Sequence, residues 1–339
     1  MRGLNIGGWL VLEKWMTPEL YEGTDTEDEF HLLKARSDYQ EMLQQHRDTF
    51  ITKEDFTWIK AHGIDTVRLP VGHWLFKASE PYVSAKEYVD QAFEWAKEVG
   101  LDVVLDLHAA KGCQNGFDNG GLSGVIEWHK DEQNIVDTLD FLRTLAQTYR
   151  DQECLVGIQL LNEPHWTIPL NLLQDFYHKG YDILREVFGE RVSVIMHDAF
   201  RIDAWKEFFT KNHFVNTFLD THMYQVFGEV ARDANMFEIS DFIKEKRYNV
   251  IKEVQKYTKV IVGEWSCALP HQTREKLEER NMLDAAYHWL GSQLLFTFEE
   301  ADGWFFWNYK LSEASTKKHF GWSFRDLVSK NYLPFEREE

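Results

Sequence analysis

Cysteine is scarce: only Cys113, Cys154 and Cys267 occur in 339 residues. They form no CxxC pair and no regular spacing, so neither a zinc site nor a disulfide framework is indicated. Positive charge is also short, with 37 basic residues against 56 acidic ones and a formal net charge of −19. Phosphate-backbone binding needs basic patches, so nucleic acid is not an expected partner; a neutral ligand suits the chain better. No apolar run approaches the roughly 18 residues of a membrane-spanning helix. The N-terminus "MRGLNIGGWLVLEKW" carries a short apolar run that an acid and a lysine close at once. A secretory leader needs a longer one, so the expected location is the cytoplasm, or outside the cell if a leader has been trimmed. No linker or low-complexity segment divides the chain. One domain over residues 1–339 is expected, with no obligate protein partner and no cofactor.

What the sequence does have is apolar and aromatic mass: 44% hydrophobic residues, 15% aromatic, and 13 Trp. Most of these rings are expected in the core, and a few against a sugar, whose apolar face fits an indole. Eight short apolar, β-branched runs recur: "GLNIGGWLV" (3–11), "IDTVRLP" (64–70), "LDVVLDLH" (101–108), "LVGIQLLN" (155–162), "VSVIMHD" (192–198), "TFLDTHMY" (217–224), "KVIVGEW" (259–265) and "GWFFWNY" (303–309). Amphipathic stretches separate them. In "SAKEYVDQAFEWAKEVG" (84–100), Val89, Phe93, Ala96 and Val99 fall three or four apart, and Gly100 is a stop signal. "NIVDTLDFLRTLAQTY" (134–149) and "SDFIKEKRYNVIKEVQKY" (240–257) read likewise. Strands alternating with helices predict a parallel α/β barrel, a (β/α)8 fold. The acidic stretch from Thr17 to Asp55, with a helical "HLLKARSDYQEMLQQ" (31–45), reads as a long first βα loop without a second core.

In such a barrel the C-terminal strand ends build the site. Polar residues collect there: Glu13, Arg68, Asp106 and His108, Asn162 and Glu163, Asp198, His222 and Tyr224, Glu264, Trp307 and Asn308. Glu163 and Glu264 end the fourth and seventh runs and can face each other across the mouth. Two facing carboxylates are the apparatus of glycoside hydrolysis, one donating a proton and the other attacking the anomeric carbon. Arg68 is the candidate cation that keeps one of them ionised. Asp106, His108, Asp198 and His222 allow a rival reading as a metal-dependent barrel hydrolase, although zinc sites want several His or Asp side chains converging on one point. Glu163 as a mere helix cap, in a non-catalytic sugar-binding barrel, is a third reading.

Together "VRLPV", "DLH", "LNEP", "THMY", "VGEW" and "WFFWNY" resemble the retaining glycoside hydrolases of family 5, in clan A, over nearly the whole chain. The resemblance implies Glu163 as acid/base and Glu264 as nucleophile, with no metal. It implies Asn162 at the substrate 2-hydroxyl, Tyr224 and Arg68 beside the nucleophile, His108 and His222 lining the subsite, and Trp307 as its floor. Within the family, "GGWLVLEKWMTP" (7–18), "QNGFDNGG" (114–121) and "YQVF" (224–227) look like exo-β-1,3-glucanases. That likeness implies a β-glucan or β-glucoside substrate, with Glu13 on the terminal glucose and Phe117 and Phe227 clamping the next sugar. It also implies Asp118 and Asn119 as substrate-binding residues. The loop "HAAKGCQNG" (108–116) departs from the Gly-Ala-Pro-Gly-Ser run typical there, placing Lys111 near the acceptor side. A β-1,4 endoglucanase, or an enzyme for β-1,6, aryl or lipid glucosides, fits the same mechanism.

Overall fold

The computed structural model describes residues 1–77, 79–227 and 234–334. Eight parallel strands close into one barrel in sequence order: β1 (Arg2–Asn5), β2 (Thr66–Gly72), β3 (Asp102–Ala109), β4 (Leu155–Gln159), β5 (Ser193–His197), β6 (Thr217–His222), β7 (Lys259–Trp265) and β8 (Gly303–Phe306). Helices follow the strands, giving the (β/α)8 architecture expected from the alternation. The first and last apolar runs continue past their strands. There Asn308 takes over the backbone pairing: its Oδ1 accepts from Gly7 N–H at 2.8 Å and its Nδ2 donates to Gly7 O at 3.0 Å.

The period-2 alternation of a strand explains how a packed barrel carries a polar mouth. Val104, Ile195, Phe218, Ile261 and Phe305 form one buried apolar cluster. Two residues further on, the same faces of β3, β5 and β6 present Asp106, His197 and Asp220, all with no exposed surface. Asn5, Arg68 and Gln159 are equally buried. A polar layer therefore lies directly above an apolar one. Gly263 of β7 is required at this level, because a Cβ there would come 2.2 Å from Asp220 Oδ1.

Helix boundaries follow local chemistry. The helix Lys86–Val99 ends at Gly100, whose φ of 76° is the left-handed cap that glycine adopts without strain. Glu132–Thr148 begins at Asp131, whose side chain accepts from Gln133 N–H. The single helix expected over 31–45 is in fact two, Glu29–Ala35 and Tyr39–Phe50. The break falls where Arg36 turns extended and its guanidinium pairs with Asp38 at 2.9 and 2.7 Å. The pattern over 240–257 is likewise interrupted, by a π-turn at Lys244–Tyr248. The long first connection also carries an apolar cluster of its own, where no second core was expected. Val11, Leu12, Tyr21, Leu32, Leu33 and Leu43 pack there with Trp74 and Ala109 of the barrel, so the connection is a buttress of the barrel.

Candidate active site

Arg68 organises the mouth from below. Its side chain has no exposed surface, so every donor must find a protein partner. Nε donates to Gln159 Oε1 at 2.9 Å, Nη1 to Asn5 Oδ1 at 2.7 Å, and Nη2 to Asn162 Oδ1 at 2.8 Å. Asp106 Oδ2 lies 3.1 Å from Nη2, and Glu264 Oε1 lies 3.3 Å from Nη1. The guanidinium is thus a rigid fork that fixes Asn162 and lends its charge to Glu264. Asp106 also accepts from His108 Nδ1 at 2.6 Å, and the His108 ring stacks on Trp307 at 5.4 Å and 9°.

Glu163 answers for the polar end of "LLNEPHW". Its φ is 43°, a left-handed value that a residue with a side chain adopts only under constraint. Gln114 supplies part of that constraint: its Nε2 donates to Asn162 O at 2.9 Å and to His108 O at 2.7 Å. The turn directs the Glu163 carboxylate into the mouth, where Oε1 meets His222 Nδ1 at 2.7 Å and Oε2 accepts from Asn119 Nδ2 at 3.0 Å. Burial pushes this carboxyl up, but the His222 charge and hydrogen bond, with help from Asn119, outweigh it and bring it down to about 2.

Glu264, at the end of β7, accepts from Tyr224 O–H at 2.7 Å through Oε2. The same oxygen lies 3.4 Å from His222 Nδ1. His222 therefore stands between the two carboxylates. Their facing oxygens lie no further apart than these two contacts laid end to end, about 6 Å. Burial works against a charge on His222, but Glu264, Asp220 and Glu163 outweigh it and keep the imidazole protonated well above its ordinary range. Burial raises Glu264. The cations His222 and Arg68 oppose it, the like charge of Glu163 adds to it, and the net direction is upward.

The remaining expected residues surround this centre. Glu13 is buried and accepts from Trp15 Nε1 at 2.8 Å. Burial and the nearby Asp118 push its carboxyl well up. Asp118 and Asn119 share a short helical turn, Asp118–Gly120, which brings Asn119 to Glu163 as well as to the mouth. Phe117 precedes that turn. Phe227 is 61% exposed, its ring 5.6 Å from Tyr224 and 6.3 Å from Trp322. Trp307 is buried under the mouth, and a Cβ on Gly7 would lie 2.6 Å from its ring. Lys111, expected near the acceptor side, pairs through its Nζ with Asp137 at 2.5 Å on the neighbouring helix. Asn5, Gln114, Gln159, Asp220 and Trp322 were not anticipated.

The rival metal reading finds little support in the donors. Asp106 is already engaged by Arg68 and His108. Asp198 accepts from Phe200 N–H at 2.7 Å. Among the described residues the one group with converging ligand atoms is Glu163, His197 and His222, all within 4.8 Å. His197 Nδ1 accepts from Ala199 N–H at 3.0 Å, which leaves its proton on Nε2, and His222 carries its own. A metal there would have to displace the proton of each ring.

A family model described as Cellulase (glycosyl hydrolase family 5) matches residues 32–313. A probable glucan 1,3-beta-glucosidase A of Aspergillus fumigatus is 35% identical, over 98% of this chain and 87% of its own length. A glucan 1,3-beta-glucosidase of Blumeria graminis is also 35% identical, over 98% of this chain and 86% of its own. Among solved structures, a rutinosidase from Aspergillus niger superposes with a TM-score of 0.81 at 18% identity, covering 98% of this chain and 97% of that one. An endoglucanase from Thermotoga maritima gives 0.61 at 18% identity, over 98% and 95%. At such identities the structural likenesses speak for the fold alone.

Proposed function

The chain belongs to glycosyl hydrolase family 5, and on that premise we propose that it releases glucose from the ends of β-1,3-glucan chains by double displacement, with Glu264 as nucleophile and Glu163 as acid/base. The observation that carries this is the convergence of both carboxylates on His222 Nδ1, at 2.7 and 3.4 Å. In the first step Glu264 forms a bond to the anomeric carbon as the glycosidic C–O bond breaks, and Glu163 gives its proton to the departing oxygen. In the second, Glu163 takes a proton from water, whose oxygen attacks the anomeric carbon and expels Glu264.

The resting protonation pattern fits these roles once the mouth fills. Glu163 and His222 hold one proton between them along their 2.7 Å hydrogen bond, and the pair is neutral overall wherever that proton sits. A bound sugar excludes water. Desolvation raises a carboxyl and lowers an imidazole, so both changes move the proton from Nδ1 to Oε1. Glu163 then becomes the acid, and Glu264 loses both the like charge of Glu163 and the opposing charge of His222. Arg68 and Tyr224 remain to hold Glu264 ionised. Asn162, fixed through its Oδ1, has its Nδ2 3.4 Å from His108 Nε2, which leaves a second N–H for the sugar 2-hydroxyl. Action at a chain end, like the preference for β-1,3 linkages, is taken from the names of the relatives.

A slow 2-deoxy-2-fluoro glucoside should label Glu264 alone, and NMR of the first-formed sugar should show the β anomer. A label elsewhere, or initial α anomer, would end this assignment. Laminari-, cello- and gentio-oligosaccharides offered in parallel test the linkage.

A further inference from the structure

The loop after β3 reaches Glu163 through a chain of side-chain amides. Asn115 is buried within that loop. Its Oδ1 accepts from the backbone N–H of Phe117 at 3.0 Å, and the Cys113 thiol donates to the same oxygen at 3.5 Å. A backbone N–H can only donate, so the end of Asn115 that meets Phe117 is its carbonyl and the other end is its N–H. That N–H donates to Asn119 Oδ1 at 2.8 Å. Asn119 is oriented in turn, with its Nδ2 toward Glu163 Oε2 at 3.0 Å. One main-chain donor thus sets the direction of every hydrogen bond up to the carboxylate. The room for Asn115 depends on Gly120, where a Cβ would come 2.6 Å from Asn115 Oδ1 and 2.5 Å from Cys113 Sγ.

The consequence falls on the two oxygens of Glu163. Oε2 faces a donor that is held from behind, so it stays an acceptor whether the carboxyl is charged or neutral. A proton on Oε2 would meet the Asn119 N–H head on. We propose that Asn115 is a positioning residue that fixes the Asn119 amide and so confines the transferable proton to Glu163 Oε1, the oxygen beside His222. The proposal rests on the reading of Glu163 as acid/base. Without Asn115, the Asn119 amide is free to turn over when Glu163 is protonated. Its Oδ1 then accepts from an Oε2–H, which stabilises the neutral acid with its proton on the wrong oxygen.

The test is the pH dependence of kcat and kcat/KM for Asn115→Ser, on a substrate with a poor leaving group. Serine keeps an acceptor for the N–H two residues on but is too short to reach Asn119. The basic limb of kcat reports the substrate complex, in which Glu163 carries the proton. It should move up by about half to one pH unit, the worth of one hydrogen bond. The basic limb of kcat/KM reports the free enzyme, in which His222 carries the proton, and it should barely move. In an Asn119→Ala background the same substitution should leave the kcat limb in place, since no amide remains to turn over. Asn115→Ala should shift the kcat limb in the same direction, which keeps the test open if the serine protein folds poorly. The residual activity of Glu163→Ala should lack this limb. If it retains the limb, the acid/base reading falls and this inference with it. If the limb belongs to Glu163 but neither Asn115 variant moves it, or both limbs move together, or the shift survives in the Asn119→Ala background, the proposal is overturned and the acid/base reading stands.

Discussion

Glu163 and His222 are joined by a 2.7 Å hydrogen bond in which a carboxylate held down to about 2 faces an imidazolium held up. The pair is one titrating unit, and the proton needed for the leaving group resides in it. In the free enzyme that proton leaves only at the raised value of the pair. His222→Gln removes the cation, so Glu163 must hold the proton as a lone carboxylic acid. The basic limb of kcat/KM should therefore move to lower pH, and turnover of substrates with poor leaving groups should fall more than that of activated aryl glucosides. pH profiles on both substrate types check this. An unmoved basic limb would mean that the proton comes from elsewhere.

Glu163→Ala should separate the two carboxylate roles. Loss of general acid catalysis costs about 10²–10⁴-fold on a poor leaving group. A dinitrophenyl glucoside leaves unaided, so its first step should be nearly spared while the second stays slow. Azide needs no base and should restore turnover as β-glucosyl azide. Glu264→Ala should fail on both substrates, and any azide product should be the α anomer. Exchanged anomers would exchange the roles.

Much of this site was legible because it obeys strand periodicity. Glu163 and Glu264 each close an apolar run, and Arg68 interrupts one. Asn5, Gln159 and Asp220 interrupt apolar runs in the same way, so their signal was present and was passed over. They are the residues that bind Arg68, hold Gly263 and face His222. Gln114 and Trp322 had no comparable signal. Both lie outside the strands, and their partners are brought near only by the closed barrel. The partner of Lys111 was hidden for the same reason: its charge was visible, but the Asp137 that pairs with it belongs to a helix 26 residues away. The strand ends were overextended at Asn5 and Phe306, since apolar content alone does not reveal that a side chain, Asn308, replaces the neighbouring strand as hydrogen-bond partner.

Phe117 and Phe227 approach the mouth from different loops, and Phe227 is the more exposed. Each Phe→Ala change should lower kcat/KM for laminaribiose by about three- to tenfold more than for an aryl glucoside with a good leaving group. Equal losses on both substrates would place the damage at the carboxylates or in folding.

Glu29 offers a test of the buttress behind Glu13. It is fully buried in the helix Glu29–Ala35, and its Oε2 accepts from Leu12 N–H at 2.9 Å, one residue before Glu13. Burial raises its carboxyl from 4.5 to about 7, although Arg47 and the Leu12 amide pull the other way. A group raised on folding favours the folded state while protonated. That contribution is complete below about pH 4.5 and is lost as pH rises through 7. The loss is on the order of 3 kcal/mol at alkaline pH. Glu29→Gln keeps an acceptor for Leu12 and cannot ionise. It should raise the melting temperature at pH 8 and leave it nearly unchanged at pH 4.5. An equal gain at both pH values would trace the effect to packing. A loss at pH 8 would show that attraction to Arg47 outweighs burial, and that the first loop is held in place by an ion pair instead.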